Sequence, residues 1–348
     1  MLSDSRGNRF RLAIVGAGLI TRNAHLPTAL SIPDIEVVAI VDPVRERAQS
    51  LVEEYGLKAL ALIDVREIGN RCDGAIVATP NHTHCEVAVP LLEAGVSTLI
   101  EKPLATSVEE GQQIVEAARR GKARVAIGHY QRFLDGPRLL ESLLRAQHFG
   151  RVIRFAHQFG TPGGWPAMSA YTLQRKSIGG GVLVVTGTHF LDRMLATWGM
   201  PDAVSLVEDA TEGPEAHCEL SVTYKDAGPG KMTGKLRYSK CVPLPAGVVL
   251  ETESGVVMLR DGFEDRITVW SGRRLDLRSE IVCPPDNTFP LGYDPSQRML
   301  WDFIQACRQG RAPLVDGEQG LAMLELIRRC YGHRQPLLDG WSEFRGVA

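Results

Sequence analysis

The sequence predicts an α/β protein of two domains, a doubly wound N-terminal domain over 1–130 and a strand-rich second domain over 131–348. Three observations predict it. The chain of 348 residues suits two domains at roughly 150 residues each. Up to residue 130, short apolar runs alternate with amphipathic stretches. Beyond residue 150 that alternation gives way to strand-like runs separated by Gly, Pro and Asp.

The elements follow in order. The apolar run 11–15 (RLAIV) stops at Gly16-Ala17-Gly18, and a second run, 35–41 (IEVVAIV), closes on Asp42. Helical spacing over 44–55, 82–94 and 108–120 separates further strand-like runs at 74–79, 96–100 and 124–128. β-branched runs divided by helices read as buried parallel strands with crossover connections. In the second domain the runs are 152–159, 203–208, 216–224, 232–238, 247–253 and 266–270.

Composition excludes several classes. Lys plus Arg number 39 and Asp plus Glu 41, so a net charge of −2 leaves no basic surplus for binding nucleic acid. No stretch approaches the ~18 uninterrupted apolar residues of a membrane span, and the N-terminus (MLSDSRGNRF) lacks a signal-peptide core. The seven cysteines are odd in number, scattered and without a C-x-x-C pair, so neither a disulfide framework nor a zinc site is expected. The expectation is a soluble, reduced, cytoplasmic protein without a bound metal.

Position gives the Gly16-x-Gly18 turn its meaning. Gly16 permits a tight exit from the strand, and Gly18 lets the backbone approach a pyrophosphate. The helix start that follows, through Leu19 and Ile20, offers unpaired N–H groups and a partial positive charge. Thr21 stands where a third glycine is usual. Asp42 lies 24 residues after Gly18, near the ~20 expected of a carboxylate that accepts hydrogen bonds from the adenosine ribose. Because a carboxylate there repels a 2′-phosphate, NAD is expected over NADP. Two other readings stay open: Asp42 caps the next helix ahead of Pro43, and Arg45 meets a 2′-phosphate. Thr79-Pro80-Asn81 ends a later strand, where ligands of open α/β sheets gather. His82 and His84 follow at i and i+2, on different helix faces, so they form no metal pair. Asn81 either contacts the cofactor or caps the helix, and His84 either contacts it or packs against the loop.

At the end of the 96–100 run stands Glu101-Lys102-Pro103, with Pro103 favouring extended backbone at Lys102. GAGLITRNAHLP near the start, EKPLATS here and GGGVLVVTGTHFLD at 179–192 together resemble the glucose–fructose oxidoreductase / inositol dehydrogenase / rhizopine catabolism (Gfo/Idh/MocA) family of NAD(P)-dependent oxidoreductases. GHYQRF at 128–133, Phe149-Gly150-Arg151-Val152 and the helical stretch from Asp294 also fit, so the resemblance covers nearly the whole chain. It implies a Rossmann dinucleotide-binding domain, then an α/β substrate-binding and oligomerisation domain with a large, open, mostly antiparallel sheet. One face of such a sheet would expose apolar surface unless another subunit covered it, so a homodimer or homotetramer through the sheet is expected.

The resemblance also implies the chemistry: reversible hydride transfer between nicotinamide C4 and a secondary alcohol or ketone of a sugar, cyclitol or nucleotide-sugar. Lys102 would bind the substrate hydroxyl and exchange its proton, a role that suits a lysine partly desolvated beside a cationic ring. His189 would be the second catalytic group, with Asp192 orienting or capping. Glu101, Lys102 and Gln131 would join the cofactor contacts. Tyr130 and Thr186 would line the substrate pocket with Lys102 and His189, while the loop-like stretches 160–165 and 171–176, with Trp165 and Arg175, either line it or form a flexible surface loop. Trp165 and Tyr171 suit stacking on a sugar ring, and Arg175 or Lys176 suits an anionic group on it. One position departs from the family pattern. Many members carry an aspartate one turn before the histidine, where this chain has Val185. Either Lys102 and His189 suffice, or Tyr130, Gln131, Thr186 or Arg175 replaces the lost contact. Alternatively the protein binds a dinucleotide without net redox chemistry.

Overall fold

The computed structural model describes residues 9–163, 173–210, 212–225, 231–261, 265–272, 277–284 and 286–337. They fall into two compact units, Met1–Phe133 with Asp286–Leu324, and Leu134–Pro285 with Glu325–Ala348.

In the first unit the strands are β1 (Phe10–Val15), β2 (Ile35–Val41), β3 (Leu60–Leu62), β4 (Gly74–Val77), β5 (Ser97–Ile100) and β6 (Val125–Ile127). They form one parallel sheet in the order β3-β2-β1-β4-β5-β6. Every residue of β4 and β5 is buried, which requires cover on both faces. The helices α1 (Leu26–Ser31), α2 (Arg45–Glu54), α3 (His84–Glu93) and α4 (Val108–Gly121) belong to this unit. Ser107 caps α4 by accepting the Glu110 N–H, and Glu109 and Glu110 sit in its first turn, favoured by the helix dipole. The short edge strand β3 escapes the sequence reading because it has three residues, none of them fully buried.

A division at residue 130 would give 286–324 to the second domain, yet this segment packs with the first unit. Its helix Pro295–Gln309 starts in a capping box of Asp294 and Gln297. Phe303 meets Phe10 edge to face at 6.2 Å, and Met299, Leu300 and Ile304 join the same core. Periodicity announces an amphipathic helix but does not say which apolar core receives it.

The described residues of the second unit form α5 (Asp135–Arg145), α6 (Arg175–Ile178) and α7 (Thr188–Trp198) with nine strands. These are β7 (Val152–Gly160), β8 (Ala203–Glu208), β9 (His217–Tyr224), β10 (Met232–Ser239), β11 (Leu244–Thr252), β12 (Gly255–Arg260), β13 (Arg266–Ser271), β14 (Arg278–Val282) and β15 (Arg334–Pro336). The open sheet runs β14-β13-β12-β11-β7-β10-β9-β8-β15. Its pairings are antiparallel apart from β7–β10 and β8–β15. β12 is missed in the sequence because it forms a tight hairpin with β11, pairing Thr252 with Gly255. Alternation along the strands buries Phe155, His157, Leu220, Leu236, Tyr238 and Leu250 on one face. There Phe155 stacks on Trp198 of α7 at 4.6 Å.

The opposite face is mixed. It presents Arg154, Ser221 and Lys235, and the ion pairs Arg154–Glu251 and Arg237–Glu219 cross between register-matched strands. Val249, 42% exposed, pairs across strands with Ala156 and Met258, so an apolar group shares this face with the charged residues. No described helix is long and apolar enough to cross a membrane, and no described cluster of His, Cys, Asp or Glu is arranged to hold a metal ion.

Candidate active site

The first unit gathers its site at one edge of the parallel sheet, where the carboxyl ends of β1, β2, β4, β5 and β6 lie side by side. The chain reverses order between β1 and β4, the switch point at which such sheets hold ligands. β1 ends in the Gly16–Ile20 turn. Gly16 has φ +99°, and a Cβ there would lie 2.5 Å from the Ala78 carbonyl oxygen, so only glycine fits. A Cβ at Gly18 would meet nothing within 4 Å, leaving the backbone open to a ligand. Ala17 and Leu19 are half-buried, and Ile20 is exposed. The turn leads into a π-helical segment, Thr21–His25, ahead of α1. Thr21, fully buried, donates its hydroxyl to the Gly16 carbonyl, so the residue in place of the third glycine ties the turn closed.

Asp42, at the end of β2, accepts the Ala17 N–H at 2.9 Å and the Val44 N–H at 2.9 Å. The Val44 bond lies just ahead of α2, whose cap Val44 has no side-chain hydrogen bond, and the Ala17 bond braces the glycine turn. Arg45 reaches toward the Ala61 carbonyl at 3.4 Å. At the end of β4, Thr79 accepts a hydrogen bond from Thr83, and Asn81 opens the short 3-10 turn Asn81–Thr83. His84 is a correction. Its side chain is buried, and its ring nitrogens face the Pro103 and Thr79 carbonyls at 2.9 and 3.0 Å. Burial lowers the ring's affinity for a second proton, while both carbonyls favour one. His84 ties two strand-end loops together rather than touching a cofactor.

Glu101 and Lys102 stand at the end of β5, half-buried, before a cis Lys102–Pro103 peptide. Glu101 accepts hydrogen bonds from His25 at 2.8 Å and from the Lys102 N–H at 3.1 Å. Tyr130 and Gln131, both half-buried, lie in the turn Tyr130–Phe133 after β6. The structure therefore brings Gly16, Ala17, Gly18, Leu19, Ile20, Asp42, Thr79, Pro80, Asn81, Glu101, Lys102, Tyr130 and Gln131 to one sheet edge. A glycine turn open at Gly18 and a carboxylate at the second strand end fit an NAD molecule.

In the second unit, Gly179–Gly181 leads into a π-helical segment, Leu183–Gly187, continuous with α7. Along 181–190 only Val185, Thr186 and His189 keep exposed surface. Val185 thus stands one turn before His189 on the accessible side, with Thr186 next to it. Asp192 is buried in α7. Arg175 sits over the Tyr331 ring at 4.5 Å and reaches Glu208 at 3.4 Å. Trp165 and Tyr171 lie outside the described residues.

Two supports of this segment carry no sequence signal. Glu215 accepts the Gly181 and Leu183 N–H groups and the Tyr331 hydroxyl, capping the helix start from a distant part of the chain. A Cβ on Gly181 would collide with Glu215, which explains glycine there. Burial pushes the Glu215 carboxyl up. The second support is Asp261, which bonds His157 at 2.5 Å and Arg193 at 3.0 Å. The His157 ring stacks flat on Phe190, next to His189, at 3.9 Å. Burial opposes the Asp261 charge, but the bond from His157 and the charge of Arg193 outweigh it and hold that carboxyl at about 2.

Comparison with known proteins agrees with this fold. The family model "Oxidoreductase family, NAD-binding Rossmann fold" (GFO_IDH_MocA) matches residues 10–129. The rhizopine catabolism protein MocA of Rhizobium meliloti is 29% identical over 91% of this chain and 93% of its own. The D-glucoside 3-dehydrogenase of Escherichia coli is 30% identical, over 59% of each chain. A levoglucosan dehydrogenase solved with NADH superposes with TM-score 0.81 over 93% of this chain and 96% of its own, at 17% identity, a likeness of fold. Residues 10–129 thus match an NAD-binding Rossmann oxidoreductase family model, and the chain is similar to MocA along most of its length.

Proposed function

We propose that this protein is an NAD-dependent dehydrogenase that interconverts a secondary alcohol and a ketone on a sugar, cyclitol or nucleotide-sugar. The observation that carries the reading is Lys102 at the end of β5, on the same sheet edge as the glycine turn and Asp42. The sugar dehydrogenases among its relatives support the substrate class.

NAD, when bound, supplies the hydride acceptor. The Gly16–Ile20 turn and the helix start would hold its pyrophosphate, and Asp42 would hold the adenosine ribose and disfavour a 2′-phosphate. Thr79, Pro80, Asn81, Glu101 and Gln131 complete the pocket. Lys102, as the neutral amine, accepts the hydroxyl proton while the carbinol carbon gives up hydride, so the alcohol leaves as a ketone and Lys102 as an ammonium. In the reverse direction the ammonium returns that proton. His189 is the second polar group, hydrogen-bonding the reacting oxygen, and Thr186 stands in for the carboxylate that Val185 replaces. Tyr130 and Arg175 are further substrate contacts.

Nicotinamide absorbance with a panel of polyols and sugar nucleotides tests this. Net NADH formation that falls about 100- to 10,000-fold in Lys102→Ala is the expected result. Product formed without net NADH would instead assign transient redox chemistry, and NAD binding without turnover on any substrate would make the protein a binding scaffold.

A further inference from the structure

The π-helical turn after the glycine loop delivers His25 to the end of β5. Its ring, 7% exposed, lies 2.8 Å from the Glu101 carboxylate, itself 19% exposed. An ionised carboxylate only accepts hydrogen bonds, so His25 Nε2 carries the proton of this bond. The other carboxylate oxygen takes the Lys102 N–H at 3.1 Å. Gly128, after β6, leaves the carboxylate its room, since a Cβ there would press on it at 3.2 Å. Glu101 is therefore fixed from two sides, in the residue directly before Lys102.

A buried carboxylate without donors would be costly and would take up a proton. Burial does act on Glu101 in that direction, but the hydrogen bond and charge of His25, with the charge of Lys102, hold it below the usual carboxylate range. The titratable groups that face it are His25 from the π-helical turn, Lys102 from its own loop and His84 from α3. The ring nitrogens of His84 face the Pro103 and Thr79 carbonyls, so it does not compete for the carboxylate. A permanent anion so placed favours the ammonium form of the neighbouring lysine.

We propose that Glu101, anchored by His25, is a positioning residue that sets the pH range in which Lys102 exchanges its proton. This rests on the reading of Lys102 as the acid/base. Neither partner needs to touch substrate: His25 acts through Glu101, and Glu101 acts through its charge.

The test is the pH profile of kcat/KM for alcohol oxidation, with the NAD dissociation constant measured on each variant. In the wild type the acid limb reports loss of the neutral Lys102 amine. Glu101→Gln removes the anion and is expected to move that limb about one unit or more toward acid. His25→Ala leaves the carboxylate only the Lys102 N–H and lets it protonate more readily, moving the limb the same way by less, and His25→Gln, which keeps an N–H donor, restores it. If Glu101→Gln does not fold, the two His25 variants carry the test. Lower activity with the limb in its wild-type place, in Glu101→Gln or His25→Ala, overturns the proposal and leaves Lys102 as acid/base. If Lys102→Ala retains both turnover and the acid limb, the reading of Lys102 itself fails, and the proposal with it.

Discussion

Thr21 shows what a single residue can conceal. In the sequence it reads as the missing third glycine of a phosphate turn; in the structure its buried hydroxyl closes that turn on the Gly16 carbonyl. Asp42 was legible by spacing, but its bond to the Ala17 N–H depends on two strand ends meeting, which spacing alone does not give. Removing it should therefore act twice, on the ribose and on the turn. Asp42→Ala is expected to weaken NAD by about tenfold, roughly 1.4 kcal/mol, and to narrow its advantage over NADP. Fluorescence titration with both nucleotides checks this, and an unchanged preference would contradict the ribose assignment. His84 went the other way: two carbonyls claim its ring, and no pattern of residues announces a histidine that ties loops. His25 lay within a quoted motif without a role, because its partner Glu101 is far along the chain.

Elements were legible where a run was long and periodic. The strands β1, β2, β7, β8 and β10 fall close to their expected bounds, since apolar runs bounded by glycine or acid leave little choice. The irregular helix Leu183–Gly187 into α7 was visible only as a motif. Its hold on the sheet comes from Glu215, Asp261 and His157, polar residues whose partners lie dozens of positions away. Asp261 has its carboxyl depressed from 3.8 to about 2. A depressed carboxylate stabilises the fold above its ordinary value and loses that contribution as pH falls through the depressed one. The difference is on the order of 2 kcal/mol. Asp261→Asn leaves Arg193 buried without its anion, an expected loss of about 3–5 kcal/mol at neutral pH. Denaturant titrations from pH 7 to 2 should show the gap between variant and wild type narrowing below about pH 4. A gap that stays constant to pH 2 would contradict the assigned role.

At the scale of the whole molecule, fold class and the change of pattern near residue 150 could be read directly. The return of 286–324 to the first unit could not, because amphipathic helices carry no address. The outer sheet face mixes ion pairs across strands with the apolar group of Ala156, Val249 and Met258. A second copy seated there would bury that group. The homodimer or homotetramer expected from the resemblance should then weaken in sedimentation when Val249→Glu places a charge within it. A mass unchanged in that variant would place any assembly on another surface. The central claim, however, is chemical, and paired binding and rate measurements on Lys102→Ala test it most directly. NAD affinity within about threefold of wild type, less than 1 kcal/mol, with hydride transfer reduced at least 100-fold is the predicted outcome. Turnover at the wild-type rate would contradict it.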